Sequence, residues 1–137
     1  MNRGQHQGRY EQLIQDGLQS YTRGDLRHAL MLLENAIALD PQRPDGFAQR
    51  GAILAEYGDV VQAERDLRTA LTFRTCVVAS YQLALILSDQ QRHAEAIMLL
   101  ERALAQHSSD SELWHLLALF LIERMRLRGR WMRSAMQ

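Results

Sequence analysis

Residues 21–41 read YTRGDLRHALMLLENAIALDP, and residues 54–71 read LAEYGDVVQAERDLRTAL. Each stretch places a Gly-Asp pair ahead of an amphipathic run, and the second pair follows the first by 34 residues. Sliding the 137-residue sequence along itself extends the coincidence. Gly17 recurs as Gly51 and then as Ala84, Ala29 as Ala63 and Ala96, and Ala36 as Ala70 and Ala103. A fixed period of this length, carried by small residues, is the mark of stacked helix pairs.

Each recurring position has a physical reason. Antiparallel helices approach closely only where facing side chains are small, so Gly17 with Ala29, and Gly51 with Ala63, are expected contacts within a pair. Ala36, Ala70 and Ala103 would seat the next pair. Gly24 and Gly58 supply the left-handed residue that ends a first helix, and Asp25 and Asp59 can cap the second. Asp59 and Gln62 have the spacing of a reciprocal capping box. Pro41 and Pro44 stop one unit and start the next. Between these marks the apolar residues keep a helical period, as in Leu26, Leu30, Leu33 and Ile37. The pattern predicts helices over 10–22, 25–39, 45–57, 60–73, 77–89, 93–106 and 111–127.

Composition agrees with an all-α domain. Apolar residues make up 47% and charged residues 23%, and two prolines interrupt the chain. The net charge of zero hides an asymmetry: residues 1–123 hold 11 arginines against 16 acids, whereas 124–137 hold five arginines and no acid. Lysine is absent, which fits the codon usage of a GC-rich, bacterial genome. A single cysteine, Cys76, excludes an internal disulfide framework. The polar first 30 residues lack the apolar segment of a secretory signal. The longest apolar run, 113–122, is interrupted by His115 and is about half the length needed to span a bilayer. A cytoplasmic protein without a membrane span is expected.

At these positions the sequence resembles the tetratricopeptide repeat (TPR) family, whose helix pairs carry small residues at positions eight, twenty and twenty-seven. The resemblance implies an all-α helix-turn-helix solenoid, a right-handed superhelix of about three units with seven or eight helices. The units would be 10–43, 44–77 and 77–110, after a flexible N-terminus over 1–9 and before a capping helix and Arg-rich tail over 111–137. The third unit departs from the pattern, with Gln91-Arg92 in place of Gly-Asp, although HAEAIMLLERAL at 93–104 is a good second helix.

First helices of such an array line a concave groove, and the family resemblance implies that a polypeptide binds there. The family's groove positions fall on Glu11, Ile14, Leu18 and Tyr21; on Asp45, Ala48, Ala52 and Ala55; and on Val78, Tyr81, Leu85 and Ser88. Family members that grip a C-terminal carboxylate use Lys, Asn and Arg at such positions. Here they are apolar or acidic, which argues against a carboxylate clamp. An apolar groove with an alanine floor suits an amphipathic helix or an extended apolar segment. Ile14, Leu18 and Leu85 are read equally well as core. Tyr21 and Tyr81 are the stronger contact candidates, because a tyrosine hydroxyl needs water or a partner.

The last helix is apolar around almost its whole circumference, with Trp114 and Phe120 among its large side chains. Something should cover it. Either the tail folds back as a second helix with Trp131, Met132 and Met136 inward, or another chain, including a second copy, covers it. The five histidines, His6, His28, His93, His107 and His115, show no metal-ligand spacing, and no phosphate loop or nucleophile motif occurs, so no metal, cofactor or catalytic residue is assigned. Glu64 and Arg68 have the spacing of a solvated helical face. The reading is a non-catalytic adaptor or chaperone, similar in size to three-repeat chaperones of bacterial secretion systems. The rival places nucleic acid or an acidic partner on Arg124, Arg126, Arg128, Arg130 and Arg133, interleaved with Trp131. A solvated tail, or one docked on an acidic partner, is favoured over nucleic acid, because the remainder of the chain is acidic.

Overall fold

The computed structural model describes residues 3–137, which form seven helices and no strand. These are α1 (Arg3–Thr22), α2 (Leu26–Leu39), α3 (Pro44–Tyr57), α4 (Val60–Phe73), α5 (Val77–Asp89), α6 (His93–Gln106) and α7 (Ser111–Ala135). The bounds of α4, α5 and α6 coincide with the expected ones, and α2 and α3 differ by one residue at their starts. The two ends of the chain differ more. From Arg3 onward the segment expected to be flexible is a solvent-exposed extension of α1, residues 1 and 2 lying outside the described residues. Nothing between Arg3 and Arg9 stops a helix, since an isolated glycine costs only about 1 kcal/mol relative to alanine. For the same reason α7 runs through Gly129 to Ala135 as one helix of 25 residues. The tail therefore does not fold back: Trp131, Met132 and Met136 are exposed.

Within each pair the small residues do what the period implied. A Cβ on Gly17 would lie 3.2 Å from the Leu33 side chain, and one on Gly51 would lie 2.8 Å from Leu67 Cγ. Ala29, Ala63 and Ala96 are fully buried, as are Ala36, Ala70 and Ala103. The turn between the helices of a pair needs one left-handed residue: Gly24 at φ 88°, Gly58 at φ 94°, and in the third unit Gln91 at φ 64°. The residue after it closes the turn through its backbone in all three units. Asp25 N–H donates to Ser20 C=O at 2.9 Å, Asp59 to Leu54 at 3.0 Å and Arg92 to Leu87 at 2.8 Å. The irregular third unit thus keeps the geometry without the glycine.

Asp25, Asp59 and Asp110 cap the helices that follow, each accepting a hydrogen bond from a backbone N–H three residues on. The reciprocal half of the expected capping box is not made. Gln62 Nε2 instead donates to Asp66 Oδ1 at 3.0 Å.

The odd-numbered helices pack side by side, α1 on α3, α3 on α5 and α5 on α7, whereas each even helix packs its backbone against the odd helices before and after it. The odd helices are therefore the closely spaced inner layer and the even ones the outer layer of a curved stack. A continuous core built on Leu67, Leu83, Leu87, Leu100 and Leu113 runs from α4 to α7.

Two polar contacts set the spacing at the N-terminal end. Buried Tyr10 accepts a hydrogen bond at its hydroxyl from Gly46 N–H at 2.7 Å, and the Arg43 guanidinium lies 4.1 Å above its ring. Arg50 on α3 donates two bonds, at 2.7 and 2.8 Å, to buried Asp66 on α4. Outside, Arg68 joins Glu64 to Glu95 and Arg92 joins the same two carboxylates. The Glu64–Arg68 pair is thus part of a bracket between the second and third units rather than an isolated surface pair.

Candidate functional site

The inner layer presents the residues read from the sequence, with one exception. Ile14, Leu18, Tyr21, Ala52, Ala55, Tyr81 and Leu85 are half-buried, and Ala55, Tyr81 and Leu85 pack against the core. Ala48 is only 1% exposed and belongs to the core, so it is not part of a groove floor. Its methyl group is too short to clear the side chains around it, whereas Ile14 and Tyr81, at the equivalent position of their units, do clear them.

Two open depressions meet along α5. The first, of about 600 Å³, has Val77, Val78, Tyr81 and Gln82 on one wall and Ser111, Glu112 and His115 of α7 on the other. The second shares Gln82 and continues past Leu85 and Ile86 to Ala55 and Val60. Together they make a trough that follows α5 for most of its length. Ile14 borders a separate depression beside Tyr10, Glu11 and Arg43 at the other end of the layer.

The trough has an apolar floor and an acidic rim. Glu112 stands at one end, and Glu56 and Asp89 at the other. The arginines on and beside α3 are engaged with carboxylates. Arg43 meets Asp45 at 3.3 Å and Glu11 at 3.8 Å, Arg74 meets Asp45 at 3.4 Å, and Arg50 is held by Asp66. The Asp66 hydrogen bonds push the Arg50 guanidinium pKa further up. Burial raises the Tyr10 phenol above its ordinary value, partly offset by the Gly46 N–H. On the outer face, Arg68 and then Arg92 hold the Glu95 carboxyl below its usual range.

The sequence reading missed Glu112 and His115. The signal was present: the second and fifth positions of a unit beginning at residue 111 are these two residues, and the spacing had been carried through only three units. His115 is exposed at the trough wall rather than tucked among apolar neighbours. Among the described residues no cluster of three or more His, Cys, Asp or Glu side chains could hold a metal, and no helix is long and apolar enough to cross a membrane.

Comparison with known proteins agrees with this geometry. Residues 77–120, from the start of α5 into α7, match the tetratricopeptide repeat family model. The first TPR domain of Spaghetti (RPAP3), bound to an HSP90 peptide SRMEEVD, superposes with a TM-score of 0.78 at 18% identity, covering 86% of this chain and 97% of that one. The Sgt2 TPR domain from Aspergillus fumigatus superposes with a TM-score of 0.78 at 17% identity, covering 88% and 82%. The match places a tetratricopeptide repeat over residues 77–120, and the chain as a whole has the fold of these domains. It is also 36% identical over 104 residues to cellulose synthase operon protein C of Xanthomonas axonopodis pv. citri (strain 306), a match over 75% of this chain that spans 7% of that relative's length.

Proposed function

We propose that this protein is a non-catalytic interaction module, an adaptor or chaperone that holds an amphipathic helix or short apolar segment of another protein in the trough along α5. The observation that carries the reading is the juxtaposition of an apolar floor, Val78, Tyr81 and Leu85, with free carboxylates at both ends of the trough. Burial of apolar side chains would supply the affinity, and the rim would select a segment flanked by basic residues. The Spaghetti neighbour is bound to the acidic peptide SRMEEVD. Here the carboxylate rim and the engaged arginines oppose such a ligand. A narrower form of the proposal is a bacterial secretion-type chaperone that shields apolar segments of a subunit in the cytoplasm. That form fails if no subunit encoded beside it becomes soluble on co-expression.

The test is affinity capture from native lysate with identification by mass spectrometry, run beside Tyr81→Ala. The proposal expects a protein client that Tyr81→Ala loses and that a chain ending at Arg128 keeps. A client indifferent to Tyr81 contradicts it. The competing nucleic-acid reading is weakened by the shape of α7. At roughly 100° per residue its arginines fall on both sides of an apolar stripe instead of forming one cationic face. Labelled single-stranded nucleic acid is therefore expected not to bind at low salt, and binding that weakens steeply with added salt would restore that reading.

A further inference from the structure

The repeat register makes α7 the first helix of a fourth pair whose second helix is not among the described residues. Trp114, Ala118 and Leu121 stand 34 residues after Ser80, Ala84 and Leu87. Ala84 holds the place at which Gly17 and Gly51 meet the second helix of their pairs, and all three α5 residues are no more than 1% exposed. Their counterparts on α7 are open: Trp114 is 51% and Leu121 39% exposed, and Ala118 is exposed as well. The open face continues down the helix through Met125, Gly129 and Met132, at spacings of three and four residues that keep it on one side. The vacant position beside it is the one that α2, α4 and α6 occupy beside α1, α3 and α5.

We propose that this position is filled by α7 of a second copy, antiparallel, in a two-fold homodimer. Three features of the helix select that occupant. A second helix in this fold runs antiparallel to its first, and an isologous pair of α7 helices does the same. With the two-fold axis at residue 123, the pairing sets Trp114 against Met132 and Leu121 against Met125, and brings Ala118 within one residue of the level of Gly129. The last match lets the two backbones approach closely, as Gly17 and Gly51 do within their own pairs. Charge favours the same direction. The half of the helix from Arg124 on carries five arginines and no acid, while 110–123 carries Asp110, Glu112 and Glu123 and no arginine. An antiparallel pair lays the arginines of each copy along the uncharged stretch 113–122 of the other, and a parallel pair would align the two arginine sets. The pairing does not use the trough along α5, so it stands or falls apart from the proposed client site.

Sedimentation equilibrium at micromolar concentration is expected to give twice the 15.8 kDa chain mass. Met125→Glu should return it to the single-chain mass with unchanged helicity, since Met125 is 73% exposed and its loss cannot unfold the body. In a Cys76→Ser background, mixed Ala118→Cys and Gly129→Cys chains should cross-link with each other while Ala118→Cys alone does not. A single-chain mass for the unmodified protein overturns the proposal. So does a dimer that survives Met125→Glu, or cross-linking of Ala118→Cys to itself.

Discussion

α5 and α7 occupy the same place in the repeat, yet one is the most enclosed helix of the molecule and the other the most exposed. Both carry buried leucines at the register that meets the preceding unit, Leu83 on α5 and Leu117 on α7. They part on the opposite face, where α5 receives α6 and α7 receives nothing within the described chain. Identity of register therefore does not mean identity of environment. What a small residue at position eight does depends on whether a second helix is there to use it.

The largest expected contrast lies between the two kinds of ion pair. Arg50→Met leaves the Asp66 carboxylate, which is 2% exposed, without its counter-charge and should cost about 3 kcal/mol in urea unfolding. Arg126→Met removes an exposed partner of Glu123 at 3.7 Å and should fall within about 0.5 kcal/mol of the parent. Equal effects would erase the distinction between the paired body and the projecting helix.

The comparison is sharpest at Ala84 and Ala118. Ala84→Leu forces three extra carbons between α5 and α6 and should destabilise by about 1–3 kcal/mol. Ala118→Leu, in the same register, should leave the stability of the single chain within about 0.5 kcal/mol of the parent. A large loss at Ala118 would mean that its face is already covered.

Tyr10→Phe leaves the buried Gly46 N–H without its acceptor and should cost about 1–2 kcal/mol. It should also change the alkaline limb of the stability profile. Because burial raises the folded-state pKa of Tyr10, its stabilisation is full below the ordinary value of 10.0 and is lost as pH rises through the folded value. The Phe variant should lack that step when unfolding is followed across the alkaline range.

The smallest effect has the opposite sign. Gln91 holds the left-handed φ that Gly24 and Gly58 hold in the other turns, so Gln91→Gly should stabilise by about 0.5–1 kcal/mol. A thermal midpoint unchanged or lowered by that substitution would show that the Gln91 side chain contributes more than its backbone strain removes.

What could be read in advance follows from how each feature is written in a chain. The bounds of α4, α5 and α6 were legible because turn residues, caps and apolar spacing are local signals that agree with one another. The contacts Tyr10 to Gly46 and Arg50 to Asp66 join residues 36 and 16 positions apart and leave no periodic trace, so they were not foreseen. Ala48 was misplaced because a groove position carried over from a family says where a side chain points and not how far it reaches. The fold-back of the tail was read from the apolar circumference of α7, which calls for a cover without saying where the cover comes from. The trough was half legible: Tyr81, Leu85 and Ala55 came from the third and second units, and its α7 wall was overlooked.

The most direct test of the central claim, that a partner is held on the inner face along α5, is hydrogen–deuterium exchange of the protein with and without the client recovered by affinity capture. The account predicts slowed exchange in 52–56 and 78–89 when the client is bound, with the outer helices α4 and α6 unchanged. Protection confined to α4, α6 or the distal half of α7, with none along α5, would contradict it.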